Sequence, residues 1–296
     1  MRILVPVDGR EMSLDIVDFL KARHRLTGES PEIEFFFAEP ALSSAFSTRL
    51  QEKDVTEFYD ERSKDVFERI RERLGEVSFK TDFRFRPGKP AECILQEARR
   101  FDAEMIVMGT RGHGSRTGFL FGSVSNAVVA RTTCPVLIIQ GKVSVREAPT
   151  IALAVDGSAW SERAVDYLIE HRALFGDDAE IRLIHVVPSF PSGMTPASNC
   201  VALSSIGAPT EEAYIRSIYQ RVTAPYQKKL EDNGIKAVQV PLSGPAGQTL
   251  ARYVEEEKPD LVVLGSHGYG NFKAALLGSV AMTVASAVGK PLLIIR

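Results

Sequence analysis

The 296-residue chain has almost no charge imbalance: 36 Lys and Arg stand against 38 Asp and Glu, a formal charge of −2. Gripping a polyanion needs a basic stripe or module. Neither half supplies one, since residues 1–147 carry 23 basic and 23 acidic side chains and residues 148–296 carry 13 and 15. Nucleic acid is thereby excluded as the main partner. Cysteine is scarce: Cys93, Cys134 and Cys200 are odd in number, far apart and without a CxxC pair. That excludes a disulfide framework and fits a reducing compartment. Cys93 and Cys134 read as small buried fillers. Long hydrophobic runs are missing too. The apolar stretch at residues 3–7 ends well short of a signal-peptide core, and no later run approaches 18 residues, so the expectation is a cytoplasmic protein with no membrane partner.

Three phosphate-handling motifs are also missing. There is no GxxxxGK[ST], and Gly112-x-Gly114-x3-Gly118 has the wrong spacing for a dinucleotide fingerprint. A phospho-receiver needs an acidic pair after strand one and an Asp after strand three. Strand three leaves instead through Arg84-Phe85-Arg86-Pro87-Gly88.

What is present is a globular composition, 44% hydrophobic and 25% charged, and a length that suits two domains. The two are copies of one unit. ILVPVDG at 3–9 matches IALAVDG at 151–157, AEMIVMGTRGHG at 103–114 matches PDLVVLGSHGYG at 259–270, and CPVLIIQ at 134–140 matches KPLLIIR at 290–296. The offset grows from 148 to 156, which places an insertion in the second copy, at the Pro-, Ser- and Gly-rich residues 188–209. The expected domains are 1–142 and 148–296, with the linker in 141–149.

Within the first copy, strands are expected at 3–7, 33–38, 105–108 and 136–139. A half-exposed edge strand is expected where Val77, Phe79, Thr81, Phe83 and Phe85 alternate with polar residues. Helices fall on the Leu14, Val17, Phe19, Leu20 stripe, over about 49–74, from Pro90 onward and over 120–131. Strand and helix alternating in this way predict an α/β fold, with each half an open parallel five-stranded sheet covered by helices on both faces. Ligands of such sheets bind beyond the carboxyl ends of the strands, where the winding reverses.

Those ends carry an unusual constellation. Strand one closes on Asp8 in the first copy and Asp156 in the second. Strand four runs into Gly109-x2-Gly112-x9-Gly122-Ser123 and, at equal spacing, Gly265-x2-Gly268-x9-Gly278-Ser279. Glycines let a backbone approach a ligand closely, and a Gly-Ser opening a helix offers free N–H groups at the positive end of its dipole. The pattern is a chemically sensible phosphate cradle. Each member alone is equally a turn glycine or a helix cap. The repeated set, converging on one crevice, is what points to a ligand.

VPVDG, VMGTRGHG, Gly122-Ser123-Val124 and CPVLII, repeated as VDGS, LGSHGYG, Gly278-Ser279-Val280 and KPLLII, resemble the universal stress protein family in its tandem form, with the adenine nucleotide alpha hydrolase-like fold. The resemblance implies an adenine nucleotide, ATP or AMP with or without Mg2+, held by Asp156, Val186, Gly265, Gly268, Gly278, Ser279 and Val280. In the first copy it implies Asp8, Ala38, Gly109, Gly112, Gly122, Ser123 and Val124. It also implies pairing of the two halves through their fifth strands, with dimerisation as a further step. That agrees with the short, uncharged, apolar runs 136–139 and 292–295, which an exposed edge should not be.

The second copy keeps the family's Gly157-Ser158 and His185-Val186, whereas the first has Gly9-Arg10 and Phe37-Ala38-Glu39. Glu39 brings a carboxylate toward an anionic ligand, with Arg10 or Arg111 available to offset it. If only one crevice is filled, it is therefore expected to be the second. His113 and His267 occupy different positions in the two copies and read as surface loop residues rather than catalysts. No base, water-orienting group or metal set is evident, so at most slow hydrolysis is expected. The function read from the sequence is a nucleotide-responsive stress protein that signals to an unknown protein partner. The alternative is a scaffold of the same fold that binds no nucleotide.

Overall fold

A computed structural model of the chain describes residues 1–23, 31–41, 52–109, 122–140, 148–176, 178–188, 210–268, 277–287 and 289–296. The chain divides into two compact units, Met1–Val145 and Arg146–Ile295.

The first unit begins with β1 (Arg2–Val7), α1 (Glu11–Arg23), β2 (Glu32–Glu39), α2 (Glu52–Leu74) and β3 (Lys80–Pro87). It continues with α3 (Pro90–Arg100), β4 (Met105–Gly109), α4 (Ser123–Arg131) and β5 (Val136–Ile139). Its strands pair in the order β3-β2-β1-β4-β5, all parallel. Winding runs outward from β1 to β3, then returns to β4 on the other side of β1. With right-handed crossovers this puts α1 and α2 on one face and α3 and α4 on the other, and α1 packs with α2 while α3 packs with α4. The reversal lies between β1 and β4.

Burial explains the strand sequences. β1 and β4 are covered on both faces and are almost wholly apolar. β3 ends the order and is largely exposed, as its alternation predicts. It starts at Lys80, so Val77 and Phe79 precede it, although Phe79 is still buried. Its inward rings join an aromatic layer: Phe83 lies 5.3 Å from Phe35 and 5.4 Å from Phe67, and Phe85 lies 5.6 Å from both Phe37 and Tyr59. Arg71 of α2 caps this layer, its guanidinium 4.2 Å from the Phe83 ring centre.

The opposite face of β2 holds something the apolar pattern did not announce. Glu34 is fully buried and pairs with Arg100 of α3. Arg100 also pairs with Glu97, itself 2% exposed, which Arg84 and Arg86 of β3 approach at 3.3 Å. Burial, with the carboxylate of Glu97 close by, pushes Glu34 up to about 7 against the pull of Arg100, and Glu34 Oε1 has no hydrogen-bond partner.

The second unit repeats the plan with β6 (Thr150–Ala154), α5 (Ala159–Glu170), α6 (Arg172–Phe175), β7 (Glu180–Val187) and α7 (Glu211–Asp232). It closes with β8 (Ala237–Ser243), α8 (Ala246–Glu257), β9 (Leu261–Gly265), α9 (Ser279–Ala287) and β10 (Leu292–Ile295). The order is β8-β7-β6-β9-β10, again parallel. Ser158 caps α5 by accepting from Ser161 N at 3.3 Å, and Thr210 caps α7 by accepting from Ala213 N at 3.1 Å. Tyr219 of α7 ties two strands together: its hydroxyl donates to Leu183 O at 2.7 Å and accepts from Val240 N at 3.1 Å.

The helix expected over 120–131 begins at Ser123, and that over 49–74 is described from Glu52. The expected loop at 188–209, beyond Pro188, the linker over 141–147 and Cys200 lie outside the described residues. Cys93 is buried, as expected, and burial pushes its thiol up. Cys134 is partly exposed and contacts Thr132 Oγ1 at 3.1 Å. No helix among the described residues is long and apolar enough to cross a membrane.

Candidate functional site

In the second unit, β6 and β9 are neighbours and their carboxyl ends diverge at the winding reversal. A cavity of about 480 Å³ opens there, within the range of small-molecule sites. All seven residues singled out in this copy line it: Asp156, Val186, Gly265, Gly268, Gly278, Ser279 and Val280. The rest of the wall is mainly apolar, with Val155, Ile184, Leu250, Leu264, Leu277 and Met282.

Asp156 is seated by its own helix. Its Oδ1 accepts from Ser158 N at 2.9 Å and from the Ser161 hydroxyl at 2.7 Å, and Asp156 N donates back to Ser161 Oγ at 2.9 Å. Oδ2 is left on the side of Gly268, where a Cβ would fall 2.5 Å from it. Gly268 is thus a glycine because a carboxylate occupies the place of its side chain. Gly278 is confined by Ser266 O and His267 Cα, 3.1 and 3.3 Å from a would-be Cβ.

The amides are partly spent. Gly278 N donates to Ser266 O at 2.8 Å and Ser266 N to Ile295 O at 2.8 Å, so Gly278 offers no free donor. The first turn of α9 does. Met282 N is the first to close an intrahelical bond, to Gly278 O, which leaves the N–H groups of Ser279 and Val280 without an acceptor among the described residues.

Two histidines line the cavity, His185 and His267. His185 Nδ1 lies 2.8 Å from Val155 O. A carbonyl only accepts, so Nδ1 carries a proton and donates. His267 Nδ1 lies 3.1 Å from Ser266 Oγ, its ring centre is 5.4 Å from that of Trp160, and its Nε2 is buried without a partner. The sequence reading placed His267 on a surface loop. In the structure it is part of the cavity wall, because Trp160 of α5 covers its ring. His113 lies outside the described residues.

The first unit has a larger and more polar counterpart of about 750 Å³. Asp8, Ala38, Gly109, Gly122 and Val124 line it, and Gly112 lies outside the described residues. Ser123 is not in the wall. It faces outward on the first turn of α4, and Ser125 turns in instead, donating to Gly109 O at 3.2 Å. The aspartate seat is reproduced: Asp8 Oδ1 accepts from Arg10 N and from the Ser13 hydroxyl, and Asp8 N donates to Ser13 Oγ.

The rim is different. Asp8, Glu11, Asp15 and Glu39 face the cavity with Arg10 and Arg62. Arg10 lies 3.6 Å from Asp8, and Glu39 is met at 3.3 Å by Arg62 of α2, a partner sequence proximity did not suggest. Arg111 lies outside the described residues.

Ser13 and Ser161 escaped the sequence reading. The signal was there, since both stand five residues after the strand-end aspartate at the shared 148-residue offset. Among the described residues no group of three or more His, Cys, Asp or Glu is arranged to hold a metal.

A doubly wound sheet with a cavity at its switch point defines the class of α/β domain whose small-ligand sites lie at that place, and each unit has such a cavity. The sequence profile of the universal stress protein family matches residues 1–140 and again 148–296. The chain belongs to that family. It is 31% identical over 198 residues to a universal stress protein of Mycobacterium tuberculosis, a match covering 66% of this chain and 62% of the relative. The matched region is thus less than two thirds of that relative's length. It is also 37% identical over 82 residues to the stress response protein NhaX of Bacillus subtilis, covering 28% of this chain and 49% of that protein. A universal stress protein from Archaeoglobus fulgidus has the same fold, with a TM-score of 0.72 at 20% identity over 100% of this chain and 98% of that one.

Proposed function

We propose that this chain is a cytoplasmic stress-response protein that binds an adenine nucleotide, ATP or AMP, in the crevice of its second unit and acts as a regulator rather than an efficient catalyst. The observation that carries the reading is the joining of two unlike surfaces in one cavity. An apolar wall suits a purine, and it adjoins the unspent amides of Ser279 and Val280 at the dipole-positive start of α9. The first crevice supports occupancy less well, because four carboxylates line it against two guanidiniums. A bound nucleotide would change the surface a protein partner reads.

Isothermal titration with ATP, ADP and AMP tests this. The wild type is expected to bind with one dominant site, and Gly278→Arg, which crowds Ser266 O and His267, to lose binding by more than tenfold. Val280→Asp guards against misfolding. A carboxylate in the first turn of α9 stabilises the helix by about 0.3–1 kcal/mol while repelling phosphate, so ATP affinity should fall and unfolding should not be hastened. Heat absent for the wild type, or unchanged in both variants, rejects the reading.

The scaffold alternative draws on a different observation. β5 and β10 are four-residue strands, wholly apolar and buried, and their sequences favour pairing of the halves with each other or with a second copy. Sedimentation at several protein concentrations, with and without ATP, separates a nucleotide-dependent assembly from a constitutive one.

A further inference from the structure

We infer that Arg84, Arg86 and Arg100 of the first unit form a docking patch for an acidic segment of a partner protein. The inference concerns the first unit alone and stands apart from the nucleotide reading of the second.

The starting point is a charge excess around one buried group. Glu97 of α3 is 2% exposed, and three guanidiniums meet at its carboxylate: Arg84 and Arg86 of β3 at 3.3 Å each, and Arg100 one turn further along α3. Arg100 also reaches Glu34 of β2. Three cations thus face two carboxylates. Among the described residues, Glu97 is the only carboxylate paired with Arg84 or Arg86. Like charges crowded at one point repel, so a clamp that only holds α3 on the sheet is not improved by the second and third arginine.

The second unit shows what such a clamp requires. Arg182 of β7 stands at the position of Glu34 with the opposite sign. It donates to Glu257 at 2.8 Å and to the Tyr253 hydroxyl at 3.2 Å, both on α8, and to Glu180 at 2.6 Å. A single cation joins strand to helix there. Where the first unit has Arg84 and Arg86, the second has Val240 and Leu242. The arginine cluster is therefore a property of the first unit that the shared fold does not demand.

Its outer side is open. The side chains of Arg84, Arg86 and Arg100 are 44, 38 and 41% exposed, while both carboxylates beneath them are sealed from water. A guanidinium carries five N–H donors, and the bonds to Glu97, Glu34 and Gln96 use one or two on each arginine. The buried anions also hold the forks in place, so less side-chain freedom is lost when a ligand is bound.

Guanidinium forks take carboxylates through paired N–H groups. The patch is bounded by exposed acids, Asp82 of β3 and Glu92 of α3. A site of three cations between acids suits a few carboxylate side chains of a protein segment. It does not suit a continuous phosphate strand or an anionic membrane, which need a wider basic surface.

Fluorescence anisotropy of a labelled hexaglutamate peptide, titrated with the full chain at low and at physiological salt, tests this. The wild type is expected to bind, less tightly as salt rises. Arg84→Gln with Arg86→Gln should weaken binding about 3- to 10-fold. Lys89→Gln with Arg99→Gln, which removes two cations outside the cluster, should change it less than about twofold. The unaltered chain supplies a second reading that needs no variant: the peptide should shift the Nε–H resonances of Arg84, Arg86 and Arg100 more than those of the other arginines. Absence of binding at low salt, equal losses in the two double variants, or shifts centred on other arginines overturns the inference. Single-stranded oligothymidylate or phosphatidylserine vesicles held more tightly than the peptide by the same arginines overturns the assignment to a protein partner.

Discussion

Replacing Gly265 by alanine is expected to destabilise the second unit by about 3 kcal/mol, roughly 6–12 °C in its melting temperature. The same change at Gly109 of the first unit should cost less. Both glycines end a fourth strand and begin a glycine loop, so sequence gives them one role. The structure separates them. A Cβ on Gly265 would stand 2.6 Å from the Cβ of Trp160 and 3.0 and 3.1 Å from its carbonyl carbon and oxygen. Those atoms are the first turn of α5, which is pinned by the Ser158 cap and the Asp156–Ser161 bonds. The helix as a whole would have to back away from β9. A Cβ on Gly109 meets Cγ, Sδ and Cβ of the Met12 side chain instead, with no backbone atom among its three nearest neighbours. Methionine has three torsions with which to step aside. The chain's one tryptophan is Trp160 itself, so its fluorescence on thermal unfolding reports the second unit directly. Equal losses at the two positions would show that the glycines serve the loop rather than the helix contact.

The second large effect concerns pH. Burial and the neighbouring Glu97 carboxylate hold Glu34 near 7, against an ordinary carboxyl value of 4.5. Between those values the unfolded chain gives up a proton that the folded chain keeps. The contribution of Glu34 to stability is therefore fully present below about pH 4.5 and is lost as the pH rises through about 7. Above that, the ionised side chain must share Arg100 with Glu97, with no donor for its second oxygen. Glu34→Gln removes the ionisation, so the first unit of the variant should be more stable than wild type by about 2–3 kcal/mol at pH 8. At pH 4 the two should be close. Hydrogen exchange of the β1 and β2 amides at both pH values reads this for the first unit alone. An advantage for the variant that is the same at both pH values would contradict the assignment.

The parts of the fold that were legible from sequence are those where one face or both faces of an element bury a periodic set. The apolar runs of β1, β4 and β5, the edge character of β3 and the proline opening α3 all follow from local rules. The repeat did the rest, because two weak copies of one pattern constrain each other. Interactions that cross the fold left no local trace. Glu34 lies within the strand expected at 33–38, yet its partner Arg100 is 66 residues away. Glu39 finds Arg62 rather than Arg10, because α2 returns over the end of β2. At the crevice, glycine spacing marks where a ligand would enter, but which amides are already spent depends on Ser266 O, a residue inside the loop with no motif of its own. His267 was misplaced for a similar reason, since its burial comes from Trp160 on a distant helix.

The paired aspartate and serine at Asp8–Ser13 and Asp156–Ser161 bear on how the two halves have come to differ. Each pair anchors the helix start to the strand end. Neighbouring positions differ between the copies, Arg10 against Ser158, Met12 against Trp160 and Asp15 against Arg163. A duplicated chain built this way can revise the taste of one half by point substitution while its twin goes on with the old task, and neither loses its shape in the process.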